Sequence, residues 1–192
     1  MYSENSTSKW DDGAEGNYWG DYSGKDSDMD GFGDAPYAID ENNQDNHPLM
    51  GLFSDYQAVW QEATYHVALI STSRLSGFRF SQPDKTISFS FNNPDNASGF
   101  CRMSVPTTLL GGPYTLVLDG LPSTNLTERS DGTLSFLYFT YSGVHSVEVK
   151  GTSVVPEFPS IFLVFLLVAV TAWAAIVALA RARRRLVPAL SG

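Results

Sequence analysis

Thr86-Ile-Ser-Phe-Ser-Phe91 and Leu134-Ser-Phe-Leu-Tyr-Phe139 decide how this chain folds. In the first stretch Ile87, Phe89 and Phe91 alternate with Thr86, Ser88 and Ser90, and only a strand sends alternate side chains to opposite faces. The second is apolar at both parities, which predicts a strand inside a sheet, covered on both sides. His66–Ile70, Tyr114–Asp119 and Val144–Val149 add further strand candidates. Turn formers separate them: Gln82-Pro-Asp, Asn93-Pro-Asp-Asn, Gly111-Gly-Pro, Asp119-Gly and Asp131-Gly. About seven short strands over residues 65–151 read as an antiparallel β-sandwich of immunoglobulin-like size. Their order in the sheets stays open.

On the N-terminal side, residues 51–64 read as a connector. Leu52, Tyr56, Val59 and Trp60 fall near helical spacing and predict a short helix. Residues 1–50 carry 12 acids against Lys9 and Lys25 and almost no Leu, Ile or Val. Such a stretch has no core of its own, so it must hang on a neighbour or be organised by a ligand. The acidic excess also makes a poor surface for nucleic acid. Cys101 is the one cysteine, which excludes an intrachain disulfide and a cysteine-built zinc site. Beside Phe100 and Met103 it reads as a small buried hydrophobe.

On the C-terminal side, residues 152–160 form a proline-containing spacer, and residues 161–180 lack any charge. Twenty helical residues span about 30 Å, the thickness of a bilayer's hydrocarbon core, which predicts a transmembrane helix. Arg181, Arg183, Arg184 and Arg185 follow at once and predict a basic cytoplasmic tail over 181–192, with the N-terminal part outside the cell. The partner implied is a lipid membrane. After Met1 the chain runs Tyr-Ser-Glu-Asn-Ser-Thr, with no basic or apolar leader. The expectation is therefore the C-terminal portion of a larger exported protein.

The sharpest local motif is Asp26-Ser-Asp28-Met-Asp30-Gly-Phe-Gly-Asp34. Ca²⁺ takes six to eight oxygens, and carboxylates at alternate positions around a glycine turn supply them from one loop. Asp26, Asp28, Asp30 and Asp34, with the carbonyl of Phe32, are the candidate ligands. Tyr37 stands where an EF-hand needs its bidentate Glu, so the loop is not an EF-hand. It is similar instead to the D-x-D-x-D-G calcium loops of extracellular repeat modules. Asn5, Asn96 and Asn125 open three glycosylation sequons. No catalytic constellation is visible: His47, His66 and His145 fall in different zones, and nucleophile or phosphate-loop motifs are missing. Trp10, Tyr18, Trp19 and Tyr22 are either a sugar-stacking platform or the cover of a core's end.

Two resemblances add to this reading. Trp10-Asp-Asp-Gly13, Gly16-Asn-Tyr-Trp-Gly-Asp-Tyr22, the Asp-rich loop and Ile39–Asp45 through Pro48-Leu-Met50 resemble the C-terminal end of NosD-like right-handed β-helix proteins of archaeal surfaces. Ser98–Arg102, Leu110–Tyr114, Phe136–Tyr141 and Val155–Ser160 are similar to the membrane-proximal module of archaeal cell-surface proteins. Within the latter, Pro156, Glu157, Phe158 and Pro159 resemble the sorting signal of an archaeosortase-like protease, which implies cleavage near the motif. Together these imply a mainly β chain with a β-helix end segment, a sandwich and an anchor. The implied role is non-catalytic display at the cell surface, near surface glycans or an S-layer. The alternative is the remnant of a carbohydrate-active or carbohydrate-binding β-helix protein.

Overall fold

The computed structural model describes residues 6–60, 63–92, 98–144 and 146–154, and a helix over 160–185 in which side chains are described for 167–179 and 181. The chain divides into two units, Met1–Val155 and Pro156–Gly192.

In the first unit, β1 (Tyr37–Ala38) and β2 (Gln44–Asp45) make a small ladder within the acidic segment. The sandwich strands follow: β3 (Leu52–Trp60), β4 (Ala63–Ser71), β5 (Arg74–Ser81), β6 (Thr86–Asn92) and β7 (Ser98–Pro106). Next come β8 (Leu110–Gly111), β9 (Thr115–Leu118), β10 (Leu121–Ser123), β11 (Thr127–Ser130), β12 (Leu134–Ser142), β13 (Ser146–Lys150) and β14 (Ser153–Val154). One sheet runs β11-β12-β7-β4-β3 and the other β10-β9-β13-β6-β5; β14 pairs with β8 at the side. Every ladder is antiparallel.

The predicted alternation is what joins the two sheets. Ile87, Phe89 and Phe91 of β6 are buried, as are Leu116 of β9 and Val147 and Val149 of β13. They meet Val67 and Leu69 of β4, Cys101, Met103 and Val105 of β7, and Leu137, Phe139 and Tyr141 of β12 in one cluster. Fully burying a Leu or Phe of this kind contributes about 1.5–3 kcal/mol. Phe91 stacks on Tyr141 with centroids 4.0 Å apart, tying the second sheet to the first. Asp119 (φ 49°) and Gly120 (φ 80°) make the two-residue turn between β9 and β10, where the twist of the strands demands two left-handed residues. At Gly77 (φ 66°) β5 bulges between Ser76 and Arg79.

Three expectations are corrected. The sandwich has ten long-sheet strands among the described residues, more than the seven or so foreseen. Residues 52–60 form β3 and no helix: they pair over their whole length with β4, from Leu52 opposite Ser71 to Trp60 opposite Ala63. The sandwich therefore begins inside the expected connector.

The third correction concerns the second unit, whose helix α1 is Ser160–Arg185. Among the described residues no helix is long and apolar enough to cross a membrane. Nor does the helix stop where the tail was expected to start: Arg181 lies inside it and is exposed. The predicted transmembrane helix over 161–180, the cytoplasmic tail and the single-pass location are accordingly not supported. Pro156, Glu157, Phe158 and Pro159 lie outside the described residues, as do the side chains of Arg183, Arg184 and Arg185.

The acidic segment solves its lack of a core in two ways. Its end docks on the outer face of the first sheet: Leu49 is buried with Ile70 of β4 and Phe100 of β7, and Phe32, Met50 and Tyr138 pack around them. Its interior is polar. Asp45 is fully buried and accepts from Asn17 N (2.6 Å), Trp19 Nε1 (2.8 Å) and His47 N (3.0 Å). Asn43 accepts from Ser8 N (2.7 Å) and Trp10 Nε1 (3.3 Å) and donates to Ser6 O (2.9 Å) and Asp40. Such satisfied hubs fix irregular backbone where apolar residues are lacking. Beyond β1 and β2, the segment's described pairing is limited to isolated bridges of Leu49 with Tyr18 and with Phe32. No stacked β-helical coil is present among its described residues.

Candidate metal centre and adjoining cavity

Residues 26–34 curl because two of them take left-handed backbone, Met29 (φ 60°) and Gly31 (φ 87°). Gly31 cannot readily be replaced, since a Cβ there would lie 3.3 Å from the Cβ of Arg102. The curl is pinned by backbone bonds to the docked stretch, Gly33 N to Pro48 O (2.8 Å) and Met50 N to Gly31 O (3.0 Å). It brings Asp26, Asp28 and Asp30 together, each offering a carboxylate oxygen within 4.8 Å of the others. Among the described residues this is the one group of three or more His, Cys, Asp or Glu placed to share an ion.

The cluster is partly satisfied from within. Asp26 accepts from Asp30 N and Gly31 N, both at 3.0 Å, and Asp30 accepts from Phe32 N at 2.9 Å. Burial pushes the Asp26 carboxyl above its ordinary value, the neighbouring charges of Asp30 and Asp28 push the same way, and the two amide bonds oppose them. A site that resists ionisation of its own carboxylate lacks positive charge, and a cation would supply it.

The other two sequence-predicted ligands, Asp34 and Phe32, make side-chain contacts of their own. Asp34 turns to Ser27, accepting from its hydroxyl at 2.6 Å and from its amide at 3.2 Å, and is not one of the clustered carboxylates. Phe32 directs its ring to Arg102, whose guanidinium carbon lies 5.3 Å from the ring centroid. Of the sequon residues, Asn125 is exposed before β11 and donates to Thr140 O (2.9 Å) and Oγ1 (2.7 Å). Asn5 and Asn96 lie outside the described residues. His66 faces Asp55 at 2.7 Å and His47 faces Asp11 at 3.6 Å, so the described histidines share no site. His145 lies outside the described residues.

Trp10, Trp19 and Tyr37 form a row of contacting rings: Trp19 and Tyr37 are stacked 4.5 Å apart and nearly parallel, and Trp10 is tilted against Trp19 at 5.9 Å. Both indole N–H groups turn inward to Asn43 and Asp45. These rings cover the polar hubs, the structural role of the two weighed.

The residue sequence reasoning missed is Arg102. It stands on β7 between Ile70 of β4 and Tyr138 of β12, on the sheet's outer face. Only 7% of it is exposed, and its Nε has no hydrogen-bond partner. Its guanidinium lies between the rings of Phe32 and Phe136, the latter at 4.8 Å. Burial lowers its proton affinity, and the negative charges of Glu15, Asp30 and Asp26 work against that. Between the Asp-rich curl and the sheet is a cavity of about 210 Å³, lined in part by Asp30, Phe32, Arg102, Arg129, Phe136 and Tyr138. The sole sequence signal was a charge beside Phe100 on a strand whose other parity, Cys101, Met103 and Val105, is apolar.

The fold and site define an antiparallel β-sandwich carrying an acidic, polar-cored segment with a clustered carboxylate loop. Comparison with family models, with curated proteins and with solved structures returned no match.

Proposed function

We propose that the chain is a non-catalytic display module of an exported surface protein, its acidic segment stabilised by calcium. The observation that carries this is the convergence of Asp26, Asp28 and Asp30 within 4.8 Å. Three carboxylates so close repel one another, and a hard divalent cation with oxygen ligands relieves that repulsion. The three supply part of the shell, and backbone carbonyls and water complete it. Extracellular calcium modules of this kind hold the ion with dissociation constants of roughly 10⁻⁴–10⁻³ M, which suits a millimolar calcium environment. Surface glycans and neighbouring surface proteins are the partners of this reading.

A sugar-stacking function for Trp10 and Trp19 is the weaker reading, because Trp19 is already stacked on Tyr37, Trp10 is tilted against Trp19, and both N–H groups face inward. The calcium part is tested by melting the chelator-stripped chain with and without millimolar Ca²⁺. An ion that binds only the folded state raises the melting temperature by mass action. Superimposable melting curves would sink the proposal.

A further inference from the structure

Arg102 is a charge without a counter-charge in hydrogen-bond contact. A guanidinium buried to this depth is ordinarily paired, because removing an ion from water costs several kcal/mol unless bonds replace the lost hydration. Here aromatic rings flank it and its Nε is unpartnered. The cavity in front of it also receives Arg129, which is paired across β11–β12 with Phe136, shares its face of the sheet, and already gives one N–H of Nη2 to the Asp28 carbonyl with Nη1 4.0 Å from the Asp28 carboxylate. Two guanidinium groups in an aromatic-walled cavity are suited to a carboxylate with an apolar body, since Arg presents a planar fork matching a carboxylate and stacks on rings.

Among the cavity-lining residues Asp30 is the acid that opposes an anion, with Glu15 and Asp26 acting on Arg102 from further off and Asp28 beside Arg129, and it belongs both to the cavity wall and to the carboxylate cluster. A cation on the cluster removes that opposition. We therefore infer that the cavity between the Asp-rich curl and the outer face of β7 and β12 binds a small organic carboxylate. Its acid group meets Arg102 and Arg129, its apolar part meets Phe32 and Phe136, and the affinity rises when Asp30 is neutralised. At about 210 Å³ the cavity holds a single small acid and is smaller than the usual drug-sized pocket. The calcium dependence rests on the function proposed above; the cavity itself does not.

The test is calorimetric titration of the whole chain with benzoate, and with benzamide as the uncharged counterpart. Benzoate should bind saturably in millimolar Ca²⁺, at least tenfold more weakly in chelator, and benzamide at least tenfold more weakly than benzoate. Arg102→Met should abolish binding while keeping the melting transition, because it replaces an unpaired buried cation by an apolar chain of similar length. Arg129→Gln, on an exposed edge strand, should weaken binding severalfold and serves if the first variant does not fold. Asp30→Asn keeps an oxygen to accept from Phe32 N and should bind benzoate even in chelator. If calcium fails to shift the melting curve but Asp30→Asn binds benzoate, the calcium reading falls and the cavity stands. Absence of benzoate binding in both the calcium-treated chain and Asp30→Asn overturns the inference, as does benzamide binding equal to benzoate.

Discussion

Arg129 donates from Nη2 to the backbone carbonyl of Asp28 at 2.8 Å, joining positions 101 residues apart in the chain. Its Nη1 stands 4.0 Å from the Asp28 carboxylate. An edge strand of the sandwich thus holds the middle of the Asp-rich curl by its main chain. The carboxylate of Asp28 is left exposed beside its two neighbours. Order in the curl and order in the sandwich are therefore linked, and events at the cluster should register in the melting of the whole first unit.

From this linkage comes the first expectation. Asp28→Ala combined with Asp30→Ala should remove the calcium-dependent rise in melting temperature and leave the chelator-treated transition close to that of the parent chain. Differential scanning calorimetry reads both. A calcium response that survives the double substitution would place the ion elsewhere.

Asp26 sets a second expectation, with a sign that depends on pH. Its folded-state carboxyl is raised, chiefly by burial, so the folded chain binds more protons than the unfolded chain just above the ordinary carboxylate value of 3.8. The stability linked to protonating it is fully present below that value and is lost as pH rises through the raised one. Without calcium, Asp26→Asn should therefore be no less stable than the parent near neutral pH, an advantage that shrinks as pH falls through the raised value and is gone once pH is below the ordinary 3.8. With calcium the order should invert, because the substitution removes a ligand. Urea titrations across pH 3–7 with and without the ion decide it.

The third concerns Asp45, fully buried and accepting three hydrogen bonds. Asp45→Ala strands those donors, a loss on the order of 3 kcal/mol. The indole of Trp19 is one of the freed donors, so its fluorescence in the folded variant should differ from the parent's, and its transition should coincide with that of the sandwich. Coincident transitions would mean that the segment and the sandwich unfold as one.

Cys101 provides the fourth. It is wholly buried in the core, where burial pushes its thiol far above the ordinary range and away from the reactive thiolate. A thiol reagent at pH 8 should label the native chain negligibly and the denatured chain stoichiometrically. Fast native labelling would contradict the packing between the sheets.

How far the sequence could be read depends on which side chains carried the signal. β6 and β12 were legible because their inward positions hold Ile, Phe and Leu. β3 was not. Its inward parity is Leu52, Ser54, Tyr56, Ala58 and Trp60, and Ser54 and Ala58 break the apolar rhythm. Val59 lies outward, 66% exposed, and with the inward Leu52, Tyr56 and Trp60 it mimics helical spacing. The Asp26, Asp28 and Asp30 cluster was legible because the glycine turn lies within the motif. Asp34 stands apart from the three because Ser27 captures it, a local competition between two polar side chains that spacing cannot rank. Arg102 escaped because its meaning depends on a segment about seventy residues upstream covering it. The apolar run over 161–180 suggested a membrane span by its length, its lack of charge and the arginines after it, and among the described residues no helix is long and apolar enough to cross a membrane.

The docking of Leu49, Met50 and Phe32 makes the molecule three layers thick at β4, β7 and β12. Cutting the chain just before Leu52 would keep all ten sandwich strands and still not give a clean domain. Ile70, Phe100 and Tyr138 would become a greasy stripe facing water beside an unmasked arginine. Such a shortened protein should clump, so the smallest soluble version of this molecule has to start upstream of Trp10.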